Sequence, residues 1–392
     1  MRASYDVAIV GGGVIGSSIA YHLAVEPAFG GSILVVERDP SYADGSTARS
    51  AGSIRQQFST PENIAMSRFG IGFMREAGER LAVDGEAAEI GLVESAYLFL
   101  ASDAGLPVLR ANHAVQTENG ARVALLSPDE LATRFPWMRT DGVAGAALGL
   151  ADEGWLDPYA LLQAFRRKAR SLGAEYVRDE AVGIAVEDSR VARLQLAGGA
   201  TVACGALIDA AGPRAAAVAA MAGLELPVRP RKRIVYVVDC REQVAGLPLL
   251  IDTNGVWVRP EGGQFICGVS PPENEDPDCL DLEIDGRFFE ETVWPTLARR
   301  VPAFEAIKLV RAWAGHYAMN TVDQNAILGP HPELANFYFA NGFSGHGLQQ
   351  SPAVGRGIAE IIAFGAYRTL DLSRFGYGRF AEGRPIREKS IV

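Results

Sequence analysis

The feature that most constrains this chain lies at its N-terminus, where the apolar run Asp6-Val-Ala-Ile-Val10 stops at Gly11-Gly-Gly-Val-Ile-Gly16. A helical pattern follows, with Ile15, Ile19 and Leu23 on one face, and a β-branched run, Ile33 to Val36, ends at Glu37. Strand, glycine turn, helix and strand in this order predict a βαβ unit. Gly11, Gly13 and Gly16 fit G-x-G-x-x-G, in which the first glycine permits the tight turn. The second lets a pyrophosphate approach the backbone, and the third lets helix and strand pack closely. Glu37 stands 21 positions after Gly16, where a carboxylate can bond a ribose diol, and its charge disfavours a 2′-phosphate. A dinucleotide site is expected from Gly11, Gly13, Val14, Ile15, Gly16, Glu37 and Arg38. These residues disfavour NADP and do not separate NAD from FAD.

The remaining composition bounds the class of protein. At 392 residues and 48% apolar, the chain can bury a large core in two or three domains. Its net charge of −10, without a long Lys/Arg block, makes nucleic acid an unexpected partner. Four cysteines without a CxxC pair read as reduced thiols in a reducing compartment. Strand-like sequence by Tyr5 leaves no room for a presequence, and no apolar run approaches the roughly 20 residues of a membrane span. A soluble, cytoplasmic protein is the expectation.

Further along, Thr60-Pro61 predicts a capped helix carrying Ile64, Ile71 and Met74, and Asp157-Pro158 predicts another that stops at Gly173. Residues about 86 to 150 read as short strands with polar loops, and about 225 to 320 as an antiparallel sheet. A last βα unit runs from Phe337-Tyr-Phe-Ala340 into a helix from about Ser351 to Phe364.

Several further segments carry a resemblance. Ser46-Thr-Ala-Arg-Ser-Ala-Gly52 with Arg55, Asp209-Ala-Ala-Gly-Pro213, Trp313-Ala-Gly315 with Asp323 and Gly329, and Gly342-Phe-Ser-Gly-His-Gly347 are similar to motifs of the D-amino acid oxidase and sarcosine oxidase superfamily. The likeness runs over nearly the whole chain. Ser53-Ile-Arg-Gln-Gln-Phe-Ser59, Asp323-Gln-Asn325, Gly329-Pro-His-Pro332 and Gly342 to Gln350 resemble in particular its FAD-dependent oxidoreductase domain-containing branch, which includes an assembly factor for mitochondrial complex I. The resemblance implies an α/β (α+β) fold in which a Rossmann-type FAD-binding domain (1–85, 150–224 and 320–392) is interleaved with an antiparallel-sheet substrate domain (86–149 and 225–319). It adds Ser46, Thr47, Ala48, Ser50, Ala51, Gly52, Val182, Ala211, Gly212, Gly345, His346, Gly347 and Leu348 to the FAD site. His316 stands where monomeric sarcosine oxidases carry a flavin-linked cysteine, so non-covalent FAD is expected.

What the resemblance implies about chemistry is oxidation of a C–N bond in a small secondary, N-methyl or D-amino acid or amine by hydride transfer to flavin N5. Arg55 aligns with an arginine that holds the substrate carboxylate. Tyr317 and Gln349 replace an arginine and a lysine that other members use as anchors, and Lys232 and Arg233 lie where D-amino acid dehydrogenases place one. His346 stands as a candidate for flavin contact or proton transfer. Ile266 takes the place of the lysine that oxidases set beside N5, which favours a dehydrogenase using a protein or quinone acceptor. Two alternatives stay open: a docking or assembly role suggested by the basic tail Arg379, Arg384, Arg387 and Lys389, and oxidation of a 2-hydroxy acid or polyol phosphate on the same fold.

Overall fold

The computed structural model describes residues 1–242 and 244–389. The N-terminal unit is as expected: β1 (Ser4–Val10), α1 (Val14–Val25) and β2 (Ile33–Glu37). Then come α2 (Pro61–Arg75), β3 (Tyr97–Ala101), α3 (Leu106–Glu118), β4 (Val123–Leu126), β5 (Gly145–Gly149) and α4 (Pro158–Ser171). The middle of the chain adds β6 (Glu175–Arg178), β7 (Ala181–Glu187), β8 (Arg190–Leu196) and β9 (Thr201–Asp209). The rest supplies β10 (Val228–Cys240), β11 (Leu249–Ile251), β12 (Trp257–Glu261), β13 (Gln264–Gly268), β14 (Ile307–Asn320), β15 (Ile327–Pro330), β16 (Phe337–Asn341) and α5 (Gly347–Phe364).

One sheet runs β7-β8-β9-β1-β2-β6, with β16 alongside the second half of β9 and β15 beyond it. Its centre is parallel: Val7 to Val10 pair with Ile33 to Val36 on one side and with Ala206 to Asp209 on the other. Alternation sorts its residues between two cores. Val7, Ile9 and Val35 join Ile19, Leu23, Phe165 and Ile358 from α1, α4 and α5, whereas Ala8, Val10 and Val36 join Leu207, Phe337 and Phe339 on the opposite face. The second sheet runs β14-β10-β13-β12-β11-β3-β5-β4 and is antiparallel except where β11 pairs parallel with β3.

Several sequence expectations change. Residues 86–150 contain α3, a three-turn helix with only two buried residues, Asn112 and Gln116; without an apolar stripe it has no helical signature to read. The expected antiparallel stretch at 225–320 is interrupted by turns and short helices between β13 and β14. Asp157 caps α4 as expected, accepting from Tyr159 N at 2.9 Å and Ala160 N at 3.0 Å. Thr60 does not cap α2: its hydroxyl donates to Glu388 Oε2 at 3.0 Å, and the Glu388 carboxylate takes the Ser59 N–H instead. The final helix starts four residues before Ser351 and contains Pro352. That proline removes the donor for the Leu348 carbonyl, which the Ser351 hydroxyl supplies at 2.8 Å.

The basic tail folds back onto the molecule. Arg379 is buried and donates to both oxygens of Asp323, at 2.7 and 3.0 Å, while Ile386 is buried and its N–H reaches Asp323 Oδ2 at 2.9 Å. All four cysteines are free thiols, as expected.

The tightest point of the first sheet sits at Gly16, where a Cβ would lie 1.9 Å from the Gly11 carbonyl oxygen. Backbone cannot swing aside as a side-chain end can, so Gly16→Ala is expected to lower stability by about 1 to 3 kcal/mol, read from the urea midpoint. An unchanged midpoint would show that helix and strand part without cost.

Candidate functional site

A long cleft follows the C-terminal ends of the parallel strands and continues under the second sheet. Its walls include Gly11, Gly13, Val14 and Ile15, Glu37 and Arg38, most of the 42–53 segment, Ala211 and Gly212, and Gly345 to Gln349. At the first turn, Gly11 has φ +100° and donates to Val36 O at 2.9 Å; a Cβ there would lie 2.5 Å from Ala210 O. Thr47 Oγ1 accepts from Val14 N at 3.2 Å, so the 46–52 loop closes over the positive end of α1. This arrangement is an anion-binding helix terminus.

Glu37 is held from both sides. Its Oε2 accepts from Gly12 N and its Oε1 from Asp39 N, each at 2.8 Å. Burial raises its pKa, and these two N–H groups oppose the rise. Each carboxylate oxygen keeps a lone-pair position for a diol. Two hydroxyls on the same wall, Tyr42 Oη and Ser46 Oγ, are buried and have no hydrogen-bond partner among the described residues. A folded protein seldom leaves such groups unsatisfied unless a ligand completes them. The glycine turn, the diol acceptor and the orphan hydroxyls together fit an adenine dinucleotide.

The flavin end is built by three segments. Ser50 Oγ accepts from Gly52 N at 3.1 Å, tightening the loop, whose Ala51 carbonyl accepts from Arg259 at 2.6 Å. Arg49, also in the cleft wall, bonds Ala43 O, Asp44 and Ala314 O. Opposite, Gly345 has φ +98°, and a Cβ there would lie 2.4 Å from the Tyr317 ring, so only glycine lets the α5 N-terminus sit against that tyrosine.

Arg55 is buried in the cleft wall with its guanidinium 4.6 Å from the Phe58 ring centre. Its Nη2 donates to His346 Nε2 at 3.0 Å, and its backbone N–H donates to Gln349 Oε1 at 2.7 Å. Burial, then the Arg55 charge, pushes the His346 pKa down to about 3. The imidazole is therefore neutral, and its bond to Arg55 puts its proton on Nδ1. Tyr317 lies under Arg233, 5.0 Å from the ring centre, and Arg233 makes a two-pronged pair with Asp276 at 2.7 and 2.8 Å. His316 also lines the cleft and bonds Asp281 O at 3.1 Å, while Lys232 pairs with Asp281 at 2.7 Å.

The structure thus brings Arg55, His316, Tyr317, His346 and Gln349 to one cleft, with the nucleotide residues further along it. Four expected cofactor residues do not line it. Gly16 and Gly52 are packed against backbone, a Cβ on Gly52 meeting Leu156 O at 2.2 Å, and Ala48 stands behind the loop. Val182 is exposed on β7, because its neighbour Ala181 takes the inward position and alternation turns Val182 to solvent.

Other wall residues carried no sequence signal. Tyr97, Leu249, Ile251 and Trp257 form an apolar floor from three adjacent strands. Ile266 lies behind this floor with Ala51, Trp257 and Trp313. Across the ladder from Ile266 stands Arg259, buried against Trp155. Buried Glu153, between β5 and α4, accepts the backbone N–H groups of Gln56 and Tyr97. Their partners are remote in sequence, so no local spacing betrays them.

Two outcomes are expected of this geometry. Glu37→Ala removes charge-assisted bonds worth about 1.5 to 3 kcal/mol and should weaken FAD retention, measured by titrating apoprotein with FAD; unchanged affinity would take Glu37 out of the site. Acid precipitation should leave all flavin in the supernatant, since no cysteine lines the cleft among the described residues and His316 Nε2 is engaged by Asp281 O, and yellow pellets would contradict this.

The comparisons with known proteins agree with this construction. Residues 6–361 match the family model described as FAD dependent oxidoreductase. The chain is 47% identical to FAD-dependent oxidoreductase domain-containing protein 1 of Xenopus laevis, covering 99% of this chain and 85% of that protein. It is 25% identical to the mitochondrial sarcosine dehydrogenase of Homo sapiens, covering all of this chain and 43% of that one. The crystal structure of L-proline dehydrogenase from P. horikoshii superposes with a TM-score of 0.87 at 26% identity, over 98% of this chain and 100% of that one. The chain thus belongs to the FAD-dependent oxidoreductase family that also contains D-amino acid oxidase.

Proposed function

We propose that the protein is a dehydrogenase that oxidises the C–N bond of a small amine or amino acid bearing a carboxylate, secondary or N-methylated amines above all. The observation that carries this reading is Arg55, whose buried guanidinium bonds His346 in the cleft wall while Gln349 holds its backbone N–H. Sarcosine dehydrogenase and L-proline dehydrogenase, which by name act on secondary amino acids, support the substrate class.

Each residue then has a task. Arg55 offers its planar fork to the carboxylate, and its cation is fixed before substrate arrives. His346 holds Arg55 rather than receiving the substrate's proton, because an imidazole with a pKa near 3 is a poor base at neutral pH. The apolar floor of Tyr97, Leu249, Ile251 and Trp257 takes the substrate's carbon skeleton and keeps water off it. FAD, when bound, supplies the hydride acceptor. Ile266 lies behind the floor rather than in the cleft wall, but no lysine lines the cleft among the described residues, which supports an acceptor other than oxygen.

Arg55→Lys should damage substrate-driven flavin bleaching nearly as much as Arg55→Ala, by about 2 to 4 kcal/mol in the rate at subsaturating substrate, because an ammonium lacks the two-pronged geometry. FAD content should remain normal in both. Bleaching at wild-type rates in either variant would remove Arg55 as the anchor. Turnover with an artificial dye or quinone should exceed turnover with dissolved oxygen; peroxide formation as fast as dye reduction would reject the dehydrogenase reading.

A further inference from the structure

The cleft is backed by a carboxylate to which the proposed reaction gives no task. Glu153 is 1% exposed. Its Oε1 accepts from Gln56 N at 2.8 Å, and its Oε2 accepts from Tyr97 N at 3.0 Å and from the Gln57 amide at 3.3 Å. Space for it is made by Gly149, where a Cβ would lie 1.6 Å from Glu153 Oε2. One carboxylate therefore ties the residues just after Arg55 to the head of β3, whose Tyr97 shares the cleft wall with Arg55.

The balance of charge around this group is close. Burial disfavours the ionised form, the three donors and the Arg55 charge favour it, and the outcome is a pKa pushed up to about 7. The other titratable and charged groups near it are differently engaged. Tyr97 is buried and held neutral, with Arg259 beyond it. Asp152, adjacent in sequence, points outward to Arg75 at 2.7 Å and Arg122 at 3.3 Å. The Arg55 charge also favours the ionised form of Glu153, after the three hydrogen-bond donors.

Building on the reading of Arg55 as the carboxylate anchor, we propose that Glu153 is a positioning residue that sets how strongly the cleft attracts a carboxylate. Ionised, it offsets the Arg55 charge while holding the backbone just after Arg55 in place. Protonated, it withdraws that offset. By linkage, an anion seated on Arg55 makes Glu153 harder to ionise, so binding draws a proton from solution when the pH is near the Glu153 midpoint. The sign follows: a raised carboxyl pKa means that carboxylate affinity is greatest below about pH 7 and falls as the pH rises through it.

Benzoate tests this on the FAD-loaded protein, because it is ionised throughout the range and has no amine of its own to titrate. Its binding is read from the flavin absorbance. Wild-type affinity should weaken by about fivefold or more between about pH 6 and pH 8.5, and Glu153→Gln should abolish that dependence while retaining tight binding at the alkaline end. Because the glutamine amide sets an NH2 against a backbone N–H, this variant is open to misfolding, and a second measurement uses wild type alone. Proton uptake on benzoate binding in weak buffer should peak near pH 7. Absence of uptake, or an identical pH profile in a folded Glu153→Gln protein, would overturn the proposal. Failure of the wild-type holoprotein to bind benzoate at any pH would instead remove the Arg55 anchor itself, and the Glu153 assignment with it.

Discussion

The structure hangs on one close approach of backbone to backbone. At the end of β1 the chain turns at Gly11 so near to Ala210 that a single methyl would collide with its carbonyl, and α1 leaves so near to Gly11 that Gly16 has no room for one either. These contacts bring the C-terminal ends of β1, β2 and β9 to one line. In an open parallel sheet, a ligand crevice forms along that line. The first turn of α1, Glu37 at the end of β2 and Ala211-Gly212 after β9 consequently face one another although they are as much as 200 residues apart in the chain.

The flavin end depends on longer-range geometry. β10 and β14 pair from Val228↔Asn320 to Cys240↔Ile307, one continuous ribbon that starts beside the nucleotide-binding sheet and runs out into the second sheet. Gly315, His316 and Tyr317 sit part-way along it and reach the cleft, while Asn320 at its end bonds Ser344 and Asn325. The returning tail braces the same region. Glu388 accepts from Asn63, Asn63 accepts from Gln350, and the next residue back, Gln349, holds the Arg55 backbone. Of the tail's basic residues, Arg379 is turned to structural use, pairing inward with Asp323. Arg384, Arg387 and Lys389, the other basic residues of the tail, are exposed.

How much of this was legible depends on whether a residue's role is local. The glycine turn, Glu37 and the Asp157 cap were readable because each acts on backbone a few residues away, or at a spacing set by a single βαβ unit. The 46–52 loop and the 342–347 turn were readable only by resemblance. Arg55, His346 and Gln349 were named separately on the same ground, yet the bonds among them join positions about 290 residues apart and leave no pattern in the chain. Thr60 misled because Thr-Pro has the form of a cap, whereas its hydroxyl is turned to a carboxylate more than 300 residues later. α3 was missed because a helix lying on the surface has no apolar stripe to announce it.

The electrostatics of the site follow from the same distinction between local and distant partners. A guanidinium as buried as Arg55 needs acceptors and aromatic cover to remain charged at tolerable cost, and it has both in His346, Phe58 and Phe99. Its hydrogen-bonded neighbour His346 is neutral, so the contact orients the fork without cancelling its charge. Glu153 answers that charge from behind, yet its bonds go to the backbone of Gln56 and Tyr97, and it therefore acts on Arg55 through the field and the adjoining backbone rather than by occupying the fork. An anion arriving from the cleft thus meets a cation already oriented and desolvated. The cost of preparing it was met when the chain folded, and a carboxylate that fits the fork gains the full benefit.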